Sequence, residues 1–294
     1  MPPRWKKSMV LTMMNEIVEY TKDDVGFYPT PPEVAEKMLS GIKWDGINSI
    51  LEPSAGKGDI LRILTRYEDN YNSKGFDVDC IEIDANLRQI LKYNFSQERK
   101  KELWRQRKEI TGKYKYCEHH FNAGWRYYSD TAKEYIPVPQ DDRAKIESID
   151  EEEKYIFQNG IHIVHDDFLT YTPFKTYDLI IMNPPFSNGD RHLLKALKIQ
   201  EKGGNIICLL NAETLKNPYT ETRKELLKKL NEYNASIEYI EHGFTTAERK
   251  TDVEIALIKV SIEAVQEESD IFSRMKDNKI VKKGRRKILQ KFVP

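Results

Sequence analysis

Apolar residues along this chain of 294 residues switch repeatedly between helical and strand spacing, and that alternation sets out the expected fold. Met9, Val10, Met13, Met14, Ile17 and Val18 recur at helical spacing, which predicts a helix over about 9–20. Pro31-Pro32 opens a second helix through Val34, Ala35, Met38 and Leu39, with Thr30 as the expected cap. Ser49-Ile50-Leu51 reads as a short strand that runs through a glycine-bearing turn into a helix carrying Ile60, Leu61, Ile63 and Leu64. The same unit returns with Phe76–Ile83 as strand and Asn86–Tyr93 as helix, Asp84 being the natural cap. Further strands are expected at His162–His165, Asp178–Met182 and Asn205–Leu210, followed by a charged helix around Thr220–Leu230. Ile237–Glu241 and Val253–Val260 then read as two strands without a helix between them. Alternating strands and helices imply a mostly parallel, doubly wound α/β sheet covered on both faces. About seven strands are expected, the final hairpin adding one antiparallel strand.

One stretch breaks the rhythm. Residues from about 96 to 160 separate the second strand from the third, far more than a crossover needs. Ser96–Tyr128 is basic and aromatic, with Trp104, Tyr114, Tyr116, Phe121, Trp125, Tyr127 and Tyr128, whereas the second half is acidic and ends in Asp150-Glu151-Glu152-Glu153. This is an insertion, expected as a small subdomain whose aromatics serve either as its core or as a contact surface.

Composition narrows the class only a little. Apolar residues make up 39% and charged residues 32%, which suits a globular domain with a real core. No apolar run reaches the roughly 20 residues of a membrane span. Three scattered cysteines, Cys80, Cys117 and Cys208, give no disulfide framework, so a cytoplasmic location is expected. Basic and acidic residues balance at 47 each, but the end of the chain is locally basic: Lys276, Lys279, Lys282, Lys283, Arg285, Arg286, Lys287 and Lys291 face only Asp277. Such a tail is either a solvated segment or a phosphate-binding one. Cys117, His119 and His120 lack a second ligand pair at metal-binding spacing, so no metal site is expected. His162, His192 and His242 are isolated and are assigned to packing or surface.

The candidate chemistry sits at strand ends, where open parallel sheets bind ligands. Glu52-Pro53-Ser54-Ala55-Gly56-Lys57-Gly58 has two glycines for a tight turn but not the three-glycine dinucleotide fingerprint. An acid at that strand end suits a cationic sulfonium amino acid better than a pyrophosphate. About 25 residues on, Ile81-Glu82-Ile83-Asp84 offers a carboxylate for the two hydroxyls of a ribose. Asp167-Phe168 at the third strand end offers an acceptor and an aromatic for an adenine ring.

The most specific feature is Met182-Asn183-Pro184-Pro185-Phe186, where a buried strand meets two prolines that hold the turn rigid. An exocyclic amine on a heteroaromatic ring is a poor nucleophile because its lone pair is delocalised. Two acceptors, the Asn183 amide oxygen and the Pro184 carbonyl, would take its two N–H bonds and aim the lone pair at a methyl group. Phe186 would stack on the base.

With these segments in hand, the chain resembles the N6-adenine-specific DNA methyltransferases of the amino-methyltransferase group. The resemblance rests on Phe27-Tyr28-Pro29-Thr30-Pro31-Pro32-Glu33-Val34, Glu52 to Gly58, Glu82-Ile83-Asp84 and Asn183 to Phe186, with Asp167-Phe168-Leu169 as a weaker fifth segment. It implies the class I Rossmann-like methyltransferase fold and S-adenosylmethionine as cofactor. By the resemblance, Thr30, Pro31, Glu52, Ala55 and Gly56 would surround the methionine end of that cofactor, and Tyr28 and Gly58 would also contribute to cofactor binding. Glu82 would take the ribose, Ile83 the adenine face, and Asp167 with Phe168 the adenine edge. Asn183, Pro184, Pro185 and Phe186 would hold a flipped adenine, with Phe244 in the loop 244–252 as a second stacking aromatic. The implied organisation is an N-terminal segment 1–45 closing over the pocket, a methyltransferase domain 46–262, and the basic tail 263–294. DNA is the expected partner. RNA bases, cytosine N4, glutamine side chains and a catalytically silent subunit are the rivals. The family usually carries a sizeable recognition region after the catalytic domain or between the third and fourth strands, and this chain has neither. Recognition would then lie in the insertion, or in a separate specificity domain or subunit.

Overall fold

The structure is a computed structural model that describes residues 29–72, 74–120, 123–241 and 253–263. The expected helix over 9–20, Tyr28, the loop bearing Phe244 and the basic tail lie outside these residues.

Helix α1 (Pro32–Leu39) begins with proline at its first position and buries Val34, Ala35, Met38 and Leu39 on one face. Its cap position is Pro31, with no side-chain cap bond, so Thr30 does not play the capping part assigned to it from sequence. Strand β1 (Ser49–Glu52), helix α2 (Asp59–Tyr71), strand β2 (Asp77–Ile81) and helix α3 (Ala85–Asn94) follow. Asp84 caps α3 as expected, accepting from the backbone N–H groups of Asn86 and Leu87. Strand β2 stops at Ile81, earlier than the apolar pattern suggests, which frees Glu82 and Ile83 from the ladder.

The insertion is a subdomain with its own sheet. Helix α4 (Gln97–Thr111) leads to an antiparallel sheet of β3 (Glu118–His120), β4 (Gly124–Ser129) and β5 (Glu134–Pro137), and helix α5 (Gln140–Glu153) closes it. Its split of charge has a structural cause, since the basic half pairs with the acidic half. Arg99 reaches Glu152 at 2.6 Å, and Arg107 bridges Asp150 at 2.8 Å and Glu153 at 2.7 Å. Most of its aromatics pack inward or on one another: Trp125 donates its indole N–H to Asp150, and the Tyr114 and Tyr127 rings lie 4.8 Å apart. His119 packs edge-on against Trp125, and His120 lies beside Tyr135. Trp104 and Tyr116 remain exposed.

The main sheet resumes with β6 (His162–His165), β7 (Leu179–Met182), helix α6 (Gly189–Ile199) and β8 (Gly204–Asn211). A short helix α7 (Glu213–Lys216), helix α8 (Glu221–Glu232), β9 (Ser236–Ile240) and β10 (Ile255–Ile262) complete it. The seven strands lie in the order β6-β2-β1-β7-β8-β10-β9. Strand β10 runs antiparallel to both of its neighbours, and the other pairs between adjacent strands are parallel. This is the expected mostly parallel sheet with one reversed strand, with the insertion where the spacing put it.

Successive residues along the central strands enter opposite cores, as the period of two requires. Ile50, Val78, Cys80, Leu179, Ile181, Ile207 and Leu209 join α1 and α2 on one face. Leu51, Ile81, Ile180, Met182, Ile206, Cys208 and Leu210 join α6 and α8 on the other. The topological switch lies between β1 and β7, because the chain winds outward from both. Asp178 fixes their register by accepting from the Asn48 and Ser49 backbone N–H groups and the Ser49 hydroxyl, each at 2.9 Å. The pairing Leu51↔Ile180 therefore delivers Glu52 and Asn183 to the same sheet edge.

Candidate active site at the carboxyl ends of the strands

A cavity opens at that switch point, and the turn after β1 forms its floor. Two ties hold this turn to the end of β2. The Ala55 N–H donates to the Ile81 carbonyl at 3.0 Å, and the Gly56 N–H donates to the Glu82 carboxylate at 2.7 Å. The other Glu82 oxygen accepts from the Asp84 N–H at 2.8 Å. Glycine is required at position 58 for two reasons. Its φ is +94°, and an added Cβ would stand 2.3 Å from the Phe95 ring. That close approach lets α2 start directly against the end of α3.

Glu52 is the most unusual residue of the site. It is 1% exposed, its Oε2 has no hydrogen-bond partner, and burial pushes its carboxyl well above the usual range. The nearby carboxylates of Asp59 and Glu82 push in the same direction. Glu82 is raised as well, mainly by burial, although the backbone N–H groups of Asp84 and Gly56 partly offset this. A buried carboxylate with an unsatisfied oxygen is costly unless a cation or donor completes it.

The remainder of the lining carries the same sign. Glu52, Asp59, Glu82, Asp84, Asp166 and Asp167 all border the cavity, and no Lys or Arg does so among the described residues. Such a lining repels phosphates and attracts cations. Ile83 stands at the rim with 72% of its surface exposed, an apolar face available to a flat ring. Asp167 accepts the Leu169 N–H through Oδ1 at 2.9 Å, and Phe168 is buried beside it.

Asn183 closes the cavity from the β7 side. Its amide nitrogen donates to the Thr30 hydroxyl at 3.0 Å. That bond ties the Asn183 side chain in place, so Thr30 acts as a positioning partner across 153 residues of sequence. Pro185 also borders the cavity.

Of the residues singled out from sequence, Thr30, Glu52, Ala55, Gly56, Glu82, Ile83, Asp167, Phe168, Asn183 and Pro185 converge on one cavity. Pro31, Gly58, Pro184 and Phe186 stand outside its lining, with Phe186 packed against the first core. Sequence reasoning passed over Asp59 and Asn188 and assigned His192 to packing or surface, and all three border the cavity. His192 lies on α6, buried, with its ring centroid 5.7 Å from that of Phe168. Its Nδ1 lies 2.9 Å from the Asn188 carbonyl, which can only accept, so Nδ1 carries the proton. Burial lowers the pKa of the ring, leaving Nε2 as an acceptor in the neutral form.

No family model matches the chain, and no curated protein matches it. Solved structures do share its fold. A modification subunit of a putative type I restriction enzyme from Vibrio vulnificus is similar at 12% identity, over 87% of this chain and 49% of its own, with a TM-score of 0.50. A putative class I S-adenosylmethionine-dependent methyltransferase from Listeria monocytogenes is similar at 11% identity, over 88% of this chain and 68% of its own, with a TM-score of 0.46. A dimethyladenosine transferase from Plasmodium falciparum is similar at 13% identity, over 80% of this chain and 63% of its own, with a TM-score of 0.45. The chain thus spans less than two thirds of the Vibrio and Plasmodium proteins. At these identities the likeness is one of fold: the Rossmann-like class I methyltransferase architecture that the strand order describes.

Proposed function

We propose that this chain is an S-adenosylmethionine-dependent methyltransferase that modifies the N6 amino group of adenine in DNA. One observation carries the reading: Asn183, with its side chain held by Thr30, borders the same acid-lined cavity as the buried Glu52. The unsatisfied Glu52 oxygen and the wholly acidic charge of the lining fit a ligand that carries an ammonium and a sulfonium. They disfavour phosphate-bearing nucleotides. Bound there, S-adenosylmethionine supplies an electrophilic methyl group.

The chain's own residues have defined tasks in this reading. Glu52 completes its hydrogen bonding on the cationic methionine end. Glu82 is held by two backbone N–H groups in position to accept from the ribose, and Ile83 covers one face of the adenine. Asp167 takes the adenine amino group beside Phe168. The Asn183 amide oxygen and the Pro184 carbonyl accept the two N–H bonds of the target amine, turning its lone pair toward the methyl group. The nitrogen–methyl bond would form as the sulfur–methyl bond breaks, S-adenosylhomocysteine would leave, and one proton of the then cationic nitrogen would pass to water. No strong base is needed beforehand. Because an adenine within a duplex is unreachable, the target is flipped out, at a cost of a few kcal/mol that stacking on Phe186 offsets. Sequence recognition is assigned to the insertion, or to a separate specificity subunit.

The test is to supply methyl-labelled S-adenosylmethionine with duplex DNA, single-stranded DNA, RNA or protein, and to identify the product by mass spectrometry. N6-methyladenine in DNA is the expected product. Label in RNA or in glutamine would replace the substrate assignment. No label in any substrate, with the cofactor bound, would refute transferase activity for this chain alone.

A further inference from the structure

Six carboxylates surround the cavity that Asn183 borders, so a polyanionic substrate gains no positive contact from the described lining. Such contacts have to come from the surrounding rim of the sheet edge. Strand β8 is the parallel neighbour of β7 with Met182 opposite Cys208, and it runs three residues further to Asn211 at the same edge. The two strand ends are in contact through α6. A Cβ added at Gly189 would lie 2.5 Å from Leu210 and 3.7 Å from Pro184. The segment that leaves β8 starts at the same sheet edge as Asn183 and leans toward β10, where the Ala212 N–H donates to the Glu254 carbonyl and Lys216 pairs with the Glu254 carboxylate.

That segment presents Tyr219 with 74% of its surface exposed, yet holds it firmly. The Tyr219 N–H donates to the Asn217 carbonyl at 2.9 Å, and the Asn217 amide donates to the Glu213 side chain. The Arg223 guanidinium lies over the ring, 4.6 Å from its centroid, and donates to the same Asn217 carbonyl at 3.3 Å. Among the described residues Arg223 makes no ion pair, whereas its neighbours Lys216 and Lys224 pair with Glu254 and Glu221. One face of the ring is thus covered by a cation with N–H groups to spare, and the other is open. An exposed aromatic ring contributes nothing to the core, but it is a stacking platform for a base. A guanidinium without a carboxylate partner is a phosphate donor.

We infer that Tyr219 stacks on a base of the nucleic-acid substrate outside the target pocket, with Arg223 taking an adjoining phosphate. This rests on the reading that the substrate is a nucleic acid.

The test is binding of a fluorescein-labelled, adenine-containing DNA oligonucleotide by anisotropy, run beside methyl transfer to the same oligonucleotide. Tyr219→Ala is expected to weaken oligonucleotide binding by about 10-fold or more, and Tyr219→Phe to retain it. Arg223→Gln is expected to lower the slope of log affinity against log salt by about 1. Calorimetric affinity for S-adenosylmethionine and the circular dichroism of each variant should stay as in the parent. Parental oligonucleotide affinity in Tyr219→Ala overturns the inference, as does a parent chain that binds no oligonucleotide. A chain that binds through Tyr219 but transfers no methyl group upholds it and refutes the proposed activity instead.

Discussion

Replacing Glu52 by Gln removes a charge and almost no volume, so it separates the cost of this carboxylate from its use. In the ligand-free protein the side chain is buried with Oε2 unsatisfied, and its pKa is raised, first by burial and then by Asp59 and Glu82. A carboxyl whose folded pKa lies above its unfolded value favours the folded state fully at low pH. That contribution is lost as pH rises through the raised value. Once ionised, the group is therefore a liability, of order 1–3 kcal/mol for an unsatisfied buried acceptor. Glutamine keeps the polarity but not the charge, so a gain near the lower end, about 1 kcal/mol or roughly 2–4 °C in Tm, is expected. The cofactor should show the opposite sign. Losing a hydrogen bond to a charged group costs about 1.5–3 kcal/mol, a rise in Kd of roughly 10- to 150-fold. Because the cation binds the ionised form, parental affinity should also weaken as pH falls through the raised value, and the variant should lose that dependence. Titration calorimetry with S-adenosylmethionine between about pH 6 and 8, beside thermal melts without ligand, measures both effects. A variant that binds as tightly as the parent, or that melts lower, would refute this account of Glu52.

Three other substitutions test separate parts of the site. Asn183→Ala should lower single-turnover methyl transfer by about 10²–10³-fold while S-adenosylmethionine affinity stays close to parental, since it deletes an acceptor for the target amine only. Thr30→Val removes the partner of the Asn183 amide nitrogen and should cost about 1 kcal/mol in kcat, roughly 5-fold, with Thr30→Ser restoring it. An effect on stability alone would demote Thr30 to packing. Gly58→Ala forces a side chain into a left-handed conformation and against the Phe95 ring. Strain of about 1–2 kcal/mol and overpacking of about 1–3 kcal/mol should appear as a lower urea midpoint with an unchanged m-value.

The sequence by itself determined the architecture. Seven strands, one of them reversed, and an insertion after the second strand all follow from the period of the apolar residues, because a strand buried on both faces has few other ways to be written. It also located the turn at the end of β7 that borders the cavity, where two prolines end a buried strand, and Asp84 caps its helix through a purely local bond. Only the tertiary structure decided what depends on proximity across the chain. Thr30 meets the Asn183 amide instead of its own helix, since Pro31, which has no side-chain acceptor, occupies the cap position of α1. Asp59 and His192 reach the cavity because α2 and α6 start at the same sheet edge, a fact of strand order that no local pattern carries. Arg99 and Arg107 of the basic stretch pair with the acidic half of the insertion once α4 and α5 lie together. The charge of the cavity emerges in the same way, as the sum of six carboxylates from separate segments that only the packed sheet brings to one place.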